Sequence, residues 1–138
     1  IAGDGPDKLR LEALAAPIAD RVTFLGQVAH DEIFRLMRAT DGVALYSGYE
    51  GLSHTLLESL QAGTPVLASD KGGNPEVVDH DVNGVLVPYV DLGALREGIQ
   101  QLLNNRATYA QQTQTGLERF TFDAMVAQTD KTLRKFLR

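Results

Sequence analysis

Short runs of β-branched and aliphatic residues recur along this chain, each closed by a small polar turn and followed by apolar positions at helical spacing. Gly42-Val43-Ala44-Leu45-Tyr46-Ser47 is one such run. The turn-like Gly48-Tyr49-Glu50-Gly51 follows it, and the pattern predicts a helix from Ser53 to Ala62, ended by Gly63. Pro65-Val66-Leu67-Ala68-Ser69 reads as the next strand, Asn74-Pro75-Glu76 as an N-cap with proline at the first helical position, and Gly84-Val85-Leu86-Val87 as a last short strand. Upstream, Pro6 opens a helix running through about residue 19 with Leu9, Leu11, Leu14 and Ile18 as its apolar stripe. Arg21-Val22-Thr23-Phe24-Leu25-Gly26 then reads as a strand, and Asp31 opens a helix that places Ile33, Phe34, Met37 and Arg38 at helical spacing. From Leu92 to Arg138 the pattern is helical, with breaks expected near Asn104-Asn105 and at Phe120-Thr121.

Strands that alternate with helices at this spacing need crossover connections, which predicts a parallel sheet with helices on both faces, a Rossmann-like α/β fold carrying a C-terminal helical tail. One compact unit is expected over residues 1–138. The opening Ile1-Ala2-Gly3-Asp4-Gly5-Pro6 reads as the end of a strand running into a turn, so the chain is expected to be an N-terminally truncated piece of a longer protein.

Composition narrows the function. With 43% hydrophobic and 22% charged residues the chain is ordinary globular material. Its net charge of −5 argues against a general binder of nucleic acid or anionic membrane. Cysteine is absent and histidine numbers three, which removes thiolate nucleophiles and Cys-based zinc sites and makes a His-only metal site improbable. No apolar run reaches the roughly 18 residues of a membrane span, and a soluble cytoplasmic protein is expected. Lys131, Arg134, Lys135 and Arg138 on the last helix read as a solvated face.

In such a sheet ligands bind beyond the carboxyl ends of the strands, so the turns Gly3-Asp4-Gly5, Gly26-Gln27, Ser47 through Ser53 and Ser69 through Asn74 hold the candidate chemistry. The turn from Ser47 to Ser53 leads into a helix whose free N–H groups and positive dipole end can receive a phosphate. Glu50 precedes that N-terminus and Glu58 lies eight positions on, both acceptor-only groups suited to sugar or ribose hydroxyls. A helical wheel sets Glu58 opposite Leu56, Leu57 and Leu60, as an exposed carboxylate beside His54 and Ala62. Familiar motifs fail: Lys8 stands where the third glycine of a dinucleotide fingerprint belongs, no P-loop is present, and Thr55 replaces the glycine that a nucleophile elbow around Ser53 would need. Ser53 is better explained as a helix cap.

The string from Tyr46 to Asp70, with Glu50 and Glu58 separated by seven residues and followed by Ala62-Gly63-Thr64-Pro65-Val66, resembles the signature of retaining GT-B glycosyltransferases of family 4. Ala2-Gly3-Asp4-Gly5-Pro6, Val22-Thr23-Phe24-Leu25-Gly26, Gly72-Gly73-Asn74-Pro75-Glu76 and Asn83-Gly84-Val85-Leu86-Val87 follow in family order. The resemblance implies the C-terminal, donor-binding domain of a two-domain enzyme. By the family's pattern Glu58 accepts hydrogen bonds from the ribose hydroxyls and Glu50 contacts a hydroxyl of the transferred sugar, and these two are the candidate catalytic residues. Backbone N–H groups of Gly51, Leu52 and Ser53 would face that sugar and the distal phosphate, while Gly26, Gln27 and Val28 would lie beside the base. Transfer with retention would proceed by same-face attack through an oxocarbenium-like ion pair, with no metal and no cofactor beyond the nucleotide-sugar donor, and neither glutamate as a nucleophile. The implied partner is a glycan, lipid or small-molecule acceptor held by a missing N-terminal domain, through which any membrane contact would run. Polysaccharide or glycoside synthesis, in the cytoplasm or peripheral at the inner face of the membrane, is the expected setting. The family's diphosphate-clamping Arg and Lys lie upstream of this segment, which implies weak donor binding and no turnover by the chain alone. A non-catalytic nucleotide-binding or assembly module and a GT-B nucleotide-sugar epimerase are the alternatives. His54 is expected at the surface.

Overall fold

A computed structural model describes residues 1–136. Contacts divide the chain into two compact units, Ile1–Leu36 and Met37 onward, where the sequence pattern predicts one.

In the first unit, the opening residues pair with the run after the first helix. Ile1 N donates to Thr23 O (2.7 Å), Leu25 N to Ile1 O (2.8 Å) and Gly3 N to Gly26 O (2.7 Å). The strand predicted over Arg21–Gly26 is thus reduced to isolated bridges, because its partner offers only three residues of edge. Helix α1 (Lys8–Ala15) starts later than predicted: Pro6 stands before the N-cap residue Asp7, not in the first turn. Pro17 has no N–H to return to Ala13, so the chain tightens into a 3₁₀ turn over Ala16–Ile18. The apolar stripe of α1 meets no core, with Leu9 79% and Leu14 65% exposed. Helix α2 (His30–Arg38) begins with Asp31 and Glu32 in its first turn, where acidic side chains favour the dipole. Its last two residues fall in the second unit.

The second unit is built on β1 (Val43–Leu45), β2 (Val66–Ser69) and β3 (Gly84–Val87), parallel and in the order β1-β2-β3. Their register sets Leu45 beside Ala68 and Ala68 beside Leu86. Helices α3 (His54–Gln61) and α4 (Asn74–Val77) connect the strands, and α5 (Leu92–Ala110) follows β3. All four residues of β2 are buried, as a central parallel strand covered on both faces requires. Val66 and Ala68 pack with Leu56, Leu60 and Val77, while Leu67, on the opposite face by the period-two rule, packs with Val85, Val87, Leu102 and Tyr109. The sheet is therefore covered on both faces, as the alternation of strands and helices predicts.

In the second unit, α5 and α4 differ from the sequence pattern. Helix α5 runs unbroken through Asn104 and Asn105, because the Asn105 side chain donates back to Gln101 O (2.9 Å) inside the helix and does not compete with it from outside. Asn74 is the first residue of α4 and not its cap, a position that Gly73 occupies. The expected break at Thr121 is present, between a 3₁₀ turn over Leu117–Phe120 and α6 (Phe122–Phe136). Lys131, Arg134 and Lys135 are exposed on α6; Arg138 lies outside the described residues.

The spacing of β2 and β3 depends on Gly84, where an added Cβ would lie 2.2 Å from Val66 O. Gly84→Ala is expected to destabilise the chain by about 1–3 kcal/mol, the usual cost of overpacking, read from the urea midpoint. An unchanged midpoint would show that the two strands separate without cost.

Candidate functional site

Because β1 and β2 are parallel, the turns that leave them emerge at the same sheet edge. There the backbone of Glu50 and Gly51 lies directly on that of Gly72 and Gly73. Gly73 N donates to Glu50 O (2.9 Å). A Cβ on Gly72 would sit 2.1 Å from Glu50 O, and one on Gly73 would sit 2.3 Å from Gly51 O. Gly72 also holds a φ of +57°, which a side chain would strain.

Three polar side chains tie this edge together. Asn74, fully buried, donates from Nδ2 to Ser69 O and to Ser69 Oγ, both at 3.1 Å. The Ser69 hydroxyl donates to the backbone carbonyl of Ser47, and the Ser47 hydroxyl donates to Glu50 Oε1 (3.2 Å). Glu50 is half-buried at the end of this series. Ser47 and Ser69 open two of the turns that the sequence marks as candidate chemistry, but nothing in the sequence shows that their side chains orient Glu50.

Helix α3 starts at the same edge. Ser53 is its buried N-cap; Ser53 Oγ accepts from Leu56 N (3.4 Å) and Ser53 O from Leu57 N (3.1 Å). A capping hydroxyl so placed explains Ser53 without any nucleophilic role. The first-turn N–H groups have no intrahelical partner, which makes this end an anion-receptive surface. Gly51 and Leu52 are exposed at its approach, and His54 is exposed as expected. Glu58 is half-buried, which corrects the wheel's exposed carboxylate. The buried arc of α3 includes Ser59 as well as the leucines, so it is wide enough to border Glu58.

Flanking residues restrain the β1 turn further. Tyr46 Oη donates to Pro88 O (2.7 Å) and accepts from Asp91 N (3.1 Å), fastening the turn after β3. The Tyr89 ring lies against Gly48, where a Cβ would approach it to 2.8 Å. Tyr89 N donates to Asp70 Oδ1 (3.2 Å), and this bond, aided by Lys71 at 3.3 Å, holds the Asp70 carboxyl below its ordinary range.

Of the other predicted residues, Gly26, Gln27 and Val28 belong to the first unit, Gly26 at a φ of +66° and Gln27 exposed. Among the described residues no group of three His, Asp or Glu side chains is arranged to hold a metal ion, and no helix is long and apolar enough to cross a membrane.

Residues 1–119 match the family described as "Glycosyl transferases group 1". The chain belongs to the group 1 glycosyl transferases. Its parallel α/β architecture is of the GT-B type that the sequence resemblance implies. This group 1 chain is 35% identical over 117 residues to the GDP-mannose-dependent alpha-(1-6)-phosphatidylinositol monomannoside mannosyltransferase of Mycobacterium tuberculosis, covering 77% of the chain and 30% of that protein. Among solved structures it superposes on the sucrose-phosphate synthase of Thermosynechococcus elongatus with a TM-score of 0.79 at 32% identity, covering 96% of the chain and 35% of that protein. It also superposes on Anabaena HepE in complex with UDP-glucose, with a TM-score of 0.76 at 30% identity, covering 97% of the chain and 40% of that protein. The chain spans less than a third of the length of the curated relatives it matches.

The backbone contact at Gly73 yields a prediction, because its φ of −83° tolerates any residue and leaves sterics as the sole variable. Gly73→Ala is expected to cost about 1–3 kcal/mol in chemical denaturation and to shift the amide resonances of Glu50, Gly51 and Leu52. Resonances that stay in place would mean that the two turns can part freely.

Proposed function

We propose that this chain is the donor-binding part of a retaining, family 4 glycosyl transferase, taking a nucleoside-diphosphate sugar at the carboxyl edge of β1 and β2. The observation that carries the reading is that the α3 N-terminus is flanked along the chain by two half-buried carboxylates, Glu50 in the turn before it and Glu58 one turn along it. In this reading the diphosphate meets the helix end, where the dipole and the N–H groups of Gly51, Leu52 and Ser53 favour negative charge. Glu58 accepts from the ribose hydroxyls, and Glu50 accepts from a hydroxyl of the transferred sugar, as carboxylates that only accept can do. For the first unit, resemblance alone carries the proposal that Gly26, Gln27 and Val28 face the base. Transfer then rests on positioning and on stabilising the charge of the departing diphosphate, with retention by same-face attack and no covalent glycosyl-enzyme. A GDP-mannose-dependent relative and a solved relative that holds UDP-glucose support the donor class and leave the base open.

Titration of the chain with UDP, UDP-glucose, GDP and GDP-mannose, followed by amide NMR shifts, tests the reading. Shifts clustered at Gly26 to Val28, at Glu50 to Glu58 and at Gly72 to Asn74 are expected; ligand-induced shifts confined to residues away from these turns would overturn it. Glu58→Ala is expected to weaken the nucleotide and its sugar conjugate alike, by about 1–3 kcal/mol. Glu50→Ala is expected to weaken the conjugate and spare the nucleotide. Equal losses on the two ligands would remove the sugar contact from Glu50.

A further inference from the structure

The hydrogen bonds that end on Glu50 all run one way. Each hydroxyl has a single proton to give. Ser69 accepts from Asn74 Nδ2 and spends its proton on the carbonyl of Ser47; Ser47 spends its own on Glu50 Oε1. The far end of the series is fixed, since Asn74 is fully buried at the start of α4 and grips both the carbonyl and the hydroxyl of Ser69. Asn74 Oδ1 meets no hydrogen-bond partner among the described residues, so the buried amide is held at this position by the two bonds to Ser69 alone. Ser69 in turn closes β2, where it is paired with Val87 of β3. The carboxylate of Glu50 is therefore referred, through two hydroxyls, to the central strand of the sheet.

We propose that Ser47 is a positioning residue that selects the Glu50 rotamer and thereby sets the preference for the sugar part of the donor over the bare nucleotide. The assignment of the sugar to Glu50 rests on the functional reading above; the restraint of Glu50 by Ser47 does not. The contacts of Gly72 and Gly73 hold the main chain of Glu50 and Gly51 and do not themselves fix the rotamer of the carboxylate. Ser47 Oγ supplies the restraint that the backbone lacks, and it does so from three residues upstream across a turn that Tyr46 and Tyr89 already pin.

Ser47→Ala isolates this link. Ser69 donates to the backbone carbonyl of Ser47, which alanine retains, so the variant keeps the rest of the series and the fold. The first readout needs no ligand: three-bond couplings of the Glu50 side chain are expected to report one rotamer in the parent and in Ser47→Thr, and averaged rotamers in Ser47→Ala. A single Glu50 rotamer in Ser47→Ala would overturn the proposal. The second readout is a double-mutant cycle on binding of UDP-glucose and GDP-mannose against UDP and GDP. Ser47→Ala is expected to lower affinity for the sugar conjugate about three- to tenfold with the bare nucleotide unchanged. It should add nothing on a Glu50→Ala background, and Ser47→Thr should restore the affinity. An undiminished effect on the Glu50→Ala background would show that Ser47 acts otherwise, again overturning the proposal. If Glu50→Ala fails to distinguish conjugate from nucleotide, the sugar assignment falls, while the coupling measurement still decides the role of Ser47.

Discussion

Two stretches of main chain, Glu50-Gly51 and Gly72-Gly73, touch with no side chain between them, and the carboxyl edge of the sheet is organised around that contact. Any Cβ on the second pair would occupy the space of a carbonyl on the first. With hydrogen there instead, the turn after β1 and the turn after β2 close on each other by the Gly73 N to Glu50 O bond. The position of Glu50, the direction from which α3 departs and the placement of Ser53 as its cap all follow from where that turn is held.

The core explains why the edge can be so exact in its geometry. Leu56 and Leu60 are fully buried against Val66 and Ala68, so α3 is fastened along its length and its N-terminus has little freedom to drift. On the other face Leu67 packs with Leu102 and Tyr109 of α5. The turn between them inherits the rigidity of both layers.

Those layers were legible in the sequence because their signals are local. Ser53 and Gly63 bracket α3, and the short apolar run before Ser69, opened by Pro65 and set between two helical patterns, fits a strand covered on both sides. Elsewhere local signals misled. Arg21–Gly26 has strand composition but too short a partner, and Asn105 satisfies its amide within α5 where an asparagine pair suggests a break. Asn74 has the residue type of a cap, yet its side chain turns inward to Ser69. The candidate carboxylates were visible as a spaced pair, whereas the bonds that orient Glu50 were not: Ser69 and Ser47 lie 22 positions apart, and only the parallel pairing of β1 with β2 makes them neighbours. Glu58 was misjudged by the wheel because a small polar residue, Ser59, widened the buried arc.

The stiffness of α3 has a metric consequence. From His54 at its first turn to Glu58 is four residues, about 6 Å of axial rise in an α-helix. In the proposed reading, a donor that meets the helix end with its diphosphate and Glu58 with its ribose is measured against a rod of fixed length. Rigid molecules that offer those two features at another separation cannot satisfy both, and flexible ones do so only by giving up conformational freedom. In that reading the helix backbone sets a length before any side chain chooses among sugars or bases.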